Sequence, residues 1–81
     1  MVYKTKGTCA TAINVELDDT KVKEVSFVNG CSGNTQGVAA LVKGMEVQEA
    51  ISRLRGIRCG FKSTSCPDQL SYALEQALQN G

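Results

Sequence analysis

The chain has 81 residues, four cysteines, one proline, and no histidine or tryptophan. Nine basic and eight acidic residues give a net charge of +1 with no block of either sign, which excludes the electrostatic footprint of a nucleic-acid-binding protein. No apolar run nears the roughly 20 residues that span a bilayer, and Met1–Ala10 has no apolar signal-peptide core, so the reading is a single cytoplasmic domain over residues 1–81 with no membrane contact.

Met1–Thr5 reads as a short extended edge. Ala10–Leu17 alternates, with Ile13, Val15 and Leu17 on one face and Asn14 and Glu16 on the other, the period of a half-buried strand. Asp18-Asp19-Thr20-Lys21 is turn chemistry. Val22–Val28 resumes the extended pattern with Val25 and Phe27 on one face, so the pair predicts an antiparallel hairpin. Asn29–Asn34 breaks the strand. A helix follows over Thr35–Lys43, with Val38, Leu41 and Val42 on one side and Gly44 at the position where a glycine ends a helix. A second helix over Val47–Arg55 carries Val47, Ala50, Ile51 and Leu54, and Gly56 ends it. Ile57–Ser65 has no helical period and reads as loop or short strand. The last helix is predicted to begin at Pro67, a favoured first helical position, which leaves Cys66 as its N-cap. Leu70, Ala73, Leu74, Ala77 and Leu78 give it a helical stripe, and Asp68 and Gln69 fall in its first turn, where an acid suits the helix dipole.

Strands first and helices after predict an α+β fold: a small antiparallel sheet, built on the N-terminal hairpin with room for a third strand, followed by three helices packed on one face. A chain of this length buries only about 60–65% of its unfolded surface. A staple is therefore expected, whether a metal, disulfides or a partner subunit.

The cysteines suit that role. Cys9 precedes the first long strand, Cys31 follows the second, Cys59 lies in the loop after the second helix, and Cys66 stands directly before Pro67. All four fall at element ends beside glycine, serine or proline, and none on the apolar face where an inert core thiol belongs. A hairpin sets the end of its second strand beside the start of its first, which draws Cys31 toward Cys9, and Cys59 and Cys66 bracket one loop. Cys31 and Cys66 also precede helices, whose N-termini stabilise thiolates, the form that binds soft metals. Together these placements predict one tetrathiolate metal site made by Cys9, Cys31, Cys59 and Cys66. With no histidine, a zinc site is cysteine-rich, closed by the fourth thiolate or by a carboxylate or water. The same ligands suit an iron–sulfur cluster. The absence of a C-x-x-C pair excludes ribbon, knuckle and thioredoxin motifs. The alternatives are a redox pair formed by Cys59 and Cys66, and thiols with a purely structural role.

The stretch Asn29–Gly37, NGCSGNTQG, has two readings: a turn that presents Cys31 and caps the next helix, or a loop offering N–H groups to an anion in a nucleotide-binding accessory module. It is not a P-loop, since no Gly-Lys-Ser/Thr follows. Arg53, Arg55, Arg58 and Lys62 gather in sequence with Phe61 as the sole interleaved aromatic. Asp68 reads as the helix N-terminal acid and Asp18-Asp19 as the hairpin turn. No catalytic residue is assigned, and the chain is not expected to be an enzyme on its own.

Thr64-Ser65-Cys66-Pro67-Asp68 spells TSCPD. With NGCSGNTQG, LVKGMEV and GIRCGFKSTSCPDQL, nearly the whole chain resembles the TSCPD domain family. Related domains occur at the C-terminus of coenzyme B12-dependent ribonucleotide reductases. The resemblance implies a stand-alone member that binds metal through its cysteines, Cys9, Cys31, Cys59 and Cys66 being the matching positions. It also implies a protein partner that is ribonucleotide reductase-like or cluster-handling. Eighty-one residues do not hold the barrel, radical site and nucleotide sites of a reductase.

The order of elements is also similar to that of U-type iron–sulfur scaffold proteins: hairpin, Gly30-Cys31, helix, Val42-Lys43-Gly44, helix, loop, Cys66, amphipathic helix. Cys9, Cys31 and Cys66 then match the three scaffold cysteines. Thr11 stands where the scaffolds carry an aspartate, and Ser65 where they carry a histidine. Cys59 adds a fourth thiol, which implies a structural or stable site rather than a transferable cluster.

Overall fold

In the computed structural model, which describes residues 2–5, 11–28, 32–58 and 64–80, the alternating segment forms strand β2, Ala12–Asp18. Ile13 and Val15 are buried and Leu17 half-buried, while Asn14 and Glu16 face solvent. The expected start at Ala10 lies outside the described residues. A two-residue turn, Asp19-Thr20, joins β2 to β3, Lys21–Val28. Asp19 takes φ 58°, a left-handed conformation that aspartate tolerates better than most residues.

The β2–β3 register departs from strict alternation. Val15 faces Val25 and Glu16 faces Glu24, but Leu17 faces Val22, so Lys23 is an extra residue in β3. One inserted residue shifts the side-chain period by one. Val22 and Val25, three apart in sequence, therefore both point into the core. Alternation alone placed only Val25 and Phe27 on that face; Phe27 is half-buried. The short edge is a true strand: β1, Val2–Lys4, pairs antiparallel with β2, Tyr3 opposite Ile13, giving a three-stranded sheet ordered β1-β2-β3.

Three helices follow: α1, Ser32–Val42; α2, Val47–Leu54; and α3, Cys66–Asn80. α1 starts three residues before the predicted Thr35. Its inward stripe is Thr35, Val38, Ala39 and Val42, spaced i, i+3, i+4, i+7 as a buried helix face requires. Leu41, predicted to join that face, is 78% exposed; it lies one residue, about 100°, from Val42 on the outer side. α2 buries Val47, Ala50, Ile51 and Leu54, as its spacing predicts. α3 buries Leu70, Ala73, Leu74 and Ala77.

The turn between α1 and α2 is laced to the start of β3. Gly44 N–H donates to the Val22 carbonyl (2.7 Å), Val22 N–H to the Met45 carbonyl (2.9 Å), and Val47 N–H to the Thr20 carbonyl (2.8 Å). Gly44 holds φ 84° in this turn, a conformation glycine adopts without steric cost. α1 packs on β3, α3 on β2, and α2 on α3. The core lies between the inner sheet face (Ile13, Val15, Val22, Val25) and the helices. Ile13, Leu70 and Leu74 are fully buried, each contributing about 1.5–3 kcal/mol relative to exposure. Among the described residues, no helix is long and apolar enough to cross a membrane.

Candidate functional site

Of the four cysteines, Cys66 lies among the described residues; Cys9, Cys31 and Cys59 lie outside them. Cys66 is a free, half-buried thiol. It is not the N-cap. α3 includes it as its first residue, and Ser65 caps the helix instead. Asp68 N–H donates to Ser65 Oγ (3.2 Å) and Gln69 N–H to the Ser65 carbonyl (2.8 Å). Serine wins this position because its hydroxyl oxygen accepts well from an N-terminal N–H, whereas a thiol is a weak acceptor. Pro67 accordingly sits second in the helix rather than first, still within the turn where a missing N–H costs nothing.

The residues around Cys66 form a closed polar network. Ser65 Oγ donates to the Ile57 carbonyl (2.6 Å). Asp68 is 6% exposed, and each of its carboxylate oxygens accepts a hydrogen bond: Oδ1 from Gly56 N–H (2.8 Å) and Oδ2 from Thr64 Oγ1 (2.5 Å). Gln69 Nε2 donates to Thr64 Oγ1 (3.0 Å), which orients the threonine proton toward the aspartate. Behind this turn, Ser71 Oγ donates to the Asp68 carbonyl (2.6 Å) and accepts from Arg55 Nε (3.1 Å). Arg55 also pairs with Glu75 at 3.4 Å and lies 4.2 Å from the centre of the Tyr72 ring. Arg53 pairs with Glu49 at 2.7 Å. Two members of the basic group are thus engaged within the fold. Among the described residues, no buried side-chain nitrogen or oxygen lacks a partner.

The dipole reading of Asp68 missed half of what this residue does. Besides occupying the first turn of α3, it ties that turn to the end of α2. The S-x-x-D spacing of Ser65 and Asp68 was the available signal for the cap.

At the sheet, Thr11 N–H donates to the Val28 carbonyl (2.8 Å), and Thr5 N–H to the Thr11 carbonyl (3.2 Å). Cys9 lies two residues before Thr11 in sequence and Cys31 three after Val28. The chain segments leading to these two cysteines therefore start side by side. Ser32–Gly37 of the NGCSGNTQG stretch belongs to α1 rather than to a loop, and Asn29–Cys31 lies outside the described residues. Among the described residues, no three histidine, cysteine, aspartate or glutamate side chains gather to hold a metal.

The four cysteines would offer a soft cation thiols without imidazole, and Cys66, the one described, is free and half-buried at a helix N-terminus. Each Asp68 carboxylate oxygen accepts one hydrogen bond from within the fold.

A three-stranded antiparallel sheet followed by three helices, with a thiol at the head of the last, defines a small α+β cysteine-bearing domain. The profile of the TSCPD domain matches residues 1–78, and the chain belongs to the TSCPD domain family. No curated protein and no solved structure matches it.

Proposed function

We propose that this TSCPD domain is a metal-binding accessory module, with Cys9, Cys31, Cys59 and Cys66 as thiolate ligands and zinc as the resident metal. The observation that carries the reading is the state of Cys66: a free, half-buried thiol at the first residue of α3, relieved of helix capping by Ser65. A bound zinc ion supplies a redox-inert cross-link between chain segments distant in sequence, which suits a domain with a small core. An iron–sulfur cluster is the alternative occupant of the same ligands. The module serves a cytoplasmic protein partner that is ribonucleotide reductase-like or cluster-handling, and it is not an enzyme by itself.

The test is elemental analysis with an absorption spectrum on protein purified without oxygen. One zinc per chain and no visible absorption supports the zinc reading. Iron and sulfide with visible absorption replace zinc with a cluster. Absence of any metal, with Cys59 and Cys66 cycling between dithiol and disulfide, overturns the metal reading in favour of a redox protein.

A further inference from the structure

We infer that Asp68 is a positioning residue for the Cys66 thiol, acting through Thr64 and the end of α2; the inference rests on the metal reading above.

Two hydrogen bonds join residues 56–57 to residues 64–68, Ser65 Oγ to the Ile57 carbonyl and Gly56 N–H to Asp68 Oδ1, and a third, Thr64 Oγ1 to Asp68 Oδ2, closes the turn on itself. Two of the three converge on one carboxylate. They enclose Cys66 in sequence, with Thr64 and Ser65 before it and Asp68 after it. They also hold Gly56 and Ile57, before Cys59 in sequence, to Ser65 and Asp68 after it. The body of α3 is held separately, by Leu70, Ala73 and Leu74 in the core. Loss of the carboxylate thus loosens the first turn of α3 and leaves the helix docked.

Only an acceptor at both oxygens completes the arrangement. Gly56 N–H and Thr64 O–H both donate, and the Thr64 oxygen already accepts from Gln69 Nε2. Asparagine sets an NH2 donor against one of the two donors. Thr64→Val removes the hydroxyl alone at nearly constant shape. A thiolate site requires its sulfurs near about 2.3 Å from zinc, so a small drift of one ligand weakens binding. Groups that orient metal ligands typically change affinity by about 10–100-fold.

The experiment measures zinc affinity by chelator competition, and the cobalt(II) absorption spectrum, on the full chain. The proteins compared are wild type, Asp68→Asn, Thr64→Val, their double variant, and Ile51→Val as a core control. At a temperature where all stay folded, stability loss alone leaves affinity unchanged, because apparent affinity scales with the folded fraction. The expected result is about 10–100-fold weaker zinc binding and an altered cobalt spectrum in Asp68→Asn. A smaller loss is expected in Thr64→Val, with less than additive loss in the double variant and none in Ile51→Val. Wild-type affinity in both Asp68→Asn and Thr64→Val overturns the positioning role while leaving the metal reading intact. So does an equal loss in Ile51→Val. Collapse in Asp68→Asn with Thr64→Val unchanged makes Asp68 itself a ligand and also overturns it. A wild-type chain that binds neither zinc nor cobalt overturns both readings. If Asp68→Asn fails to fold, the comparison of Thr64→Val with Ile51→Val decides.

Discussion

The Gly56 N–H meets Asp68 Oδ1 at 2.8 Å, so one carboxylate fastens the end of α2 to the first turn of α3. Gly56 can present its N–H there because its backbone holds φ 90°, which a residue with a Cβ adopts only under strain.

The glycines separate on this basis. Gly56→Ala should lower stability by about 1–2 kcal/mol, the cost of a left-handed L-residue, although a Cβ there meets nothing within 4 Å. Gly37 lies inside α1, and a Cβ there is also unobstructed. Gly37→Ala should therefore raise stability by about 0.5–1 kcal/mol. Urea titration of the two variants checks both signs.

Ser65 and Cys66 should respond oppositely to small changes. Ser65→Ala removes the cap and the bond to Ile57, and should cost about 1–2 kcal/mol. Cys66→Ser leaves the cap in place. In metal-free protein it should change the melting temperature little, while metal content measured on purified protein falls. A clear gain in metal-free stability from Cys66→Ser would show that residue 66 takes part in capping.

Leu74 and Leu41 test the packing of the helices. Leu74 is fully buried and Leu41 is 78% exposed. Leu74→Ala should cost about 2–5 kcal/mol, and Leu41→Ala should stay within about 0.5 kcal/mol of wild type. Thermal melts compare the two directly.

Metal-bound thiolates react slowly with alkylating reagents, whereas Cys66 as a free, half-buried thiol is open to attack. In freshly purified protein Cys66 should resist modification and become reactive once a chelator is added. Alkylation with and without chelator, read by mass spectrometry, checks this. Rapid modification regardless of chelator argues for the Cys59–Cys66 redox pair. Cys31→Ser should weaken protection at Cys66 if both bind one ion.

The elements legible in the sequence are those whose signals are local. The alternation of Ile13, Val15 and Leu17, the stripes of α2 and α3, and the stop glycines Gly44 and Gly56 each depend on residues a few positions apart. The β3 bulge does not: Lys23 becomes the extra residue only through its pairing with β2, so Val22 enters the core against strict alternation. Leu41 was misplaced because Val38 and Val42 fit two overlapping stripes, and the packing of α1 on β3 selects the one containing Thr35 and Ala39. At the candidate site, the place of Cys66 at the start of the last helix was readable from the Pro67 that follows it. The clasp around Cys66 was not, because Asp68 finds Gly56 twelve residues away, a distance no local pattern records. The choice of Ser65 over Cys66 as cap turned on a one-residue shift between two adjacent candidates.

The lacing of Val22 has a consequence for how this small domain meets other chains. Both main-chain hydrogen-bonding groups of Val22 are occupied, one by Gly44 and one by Met45. An open strand edge is a template on which another extended chain can grow. Here the helical connection takes that place at the turn end of β3, as a blunt stop where a fourth strand would begin. An incoming strand cannot pair past this point without first prying the α1–α2 turn away from the sheet.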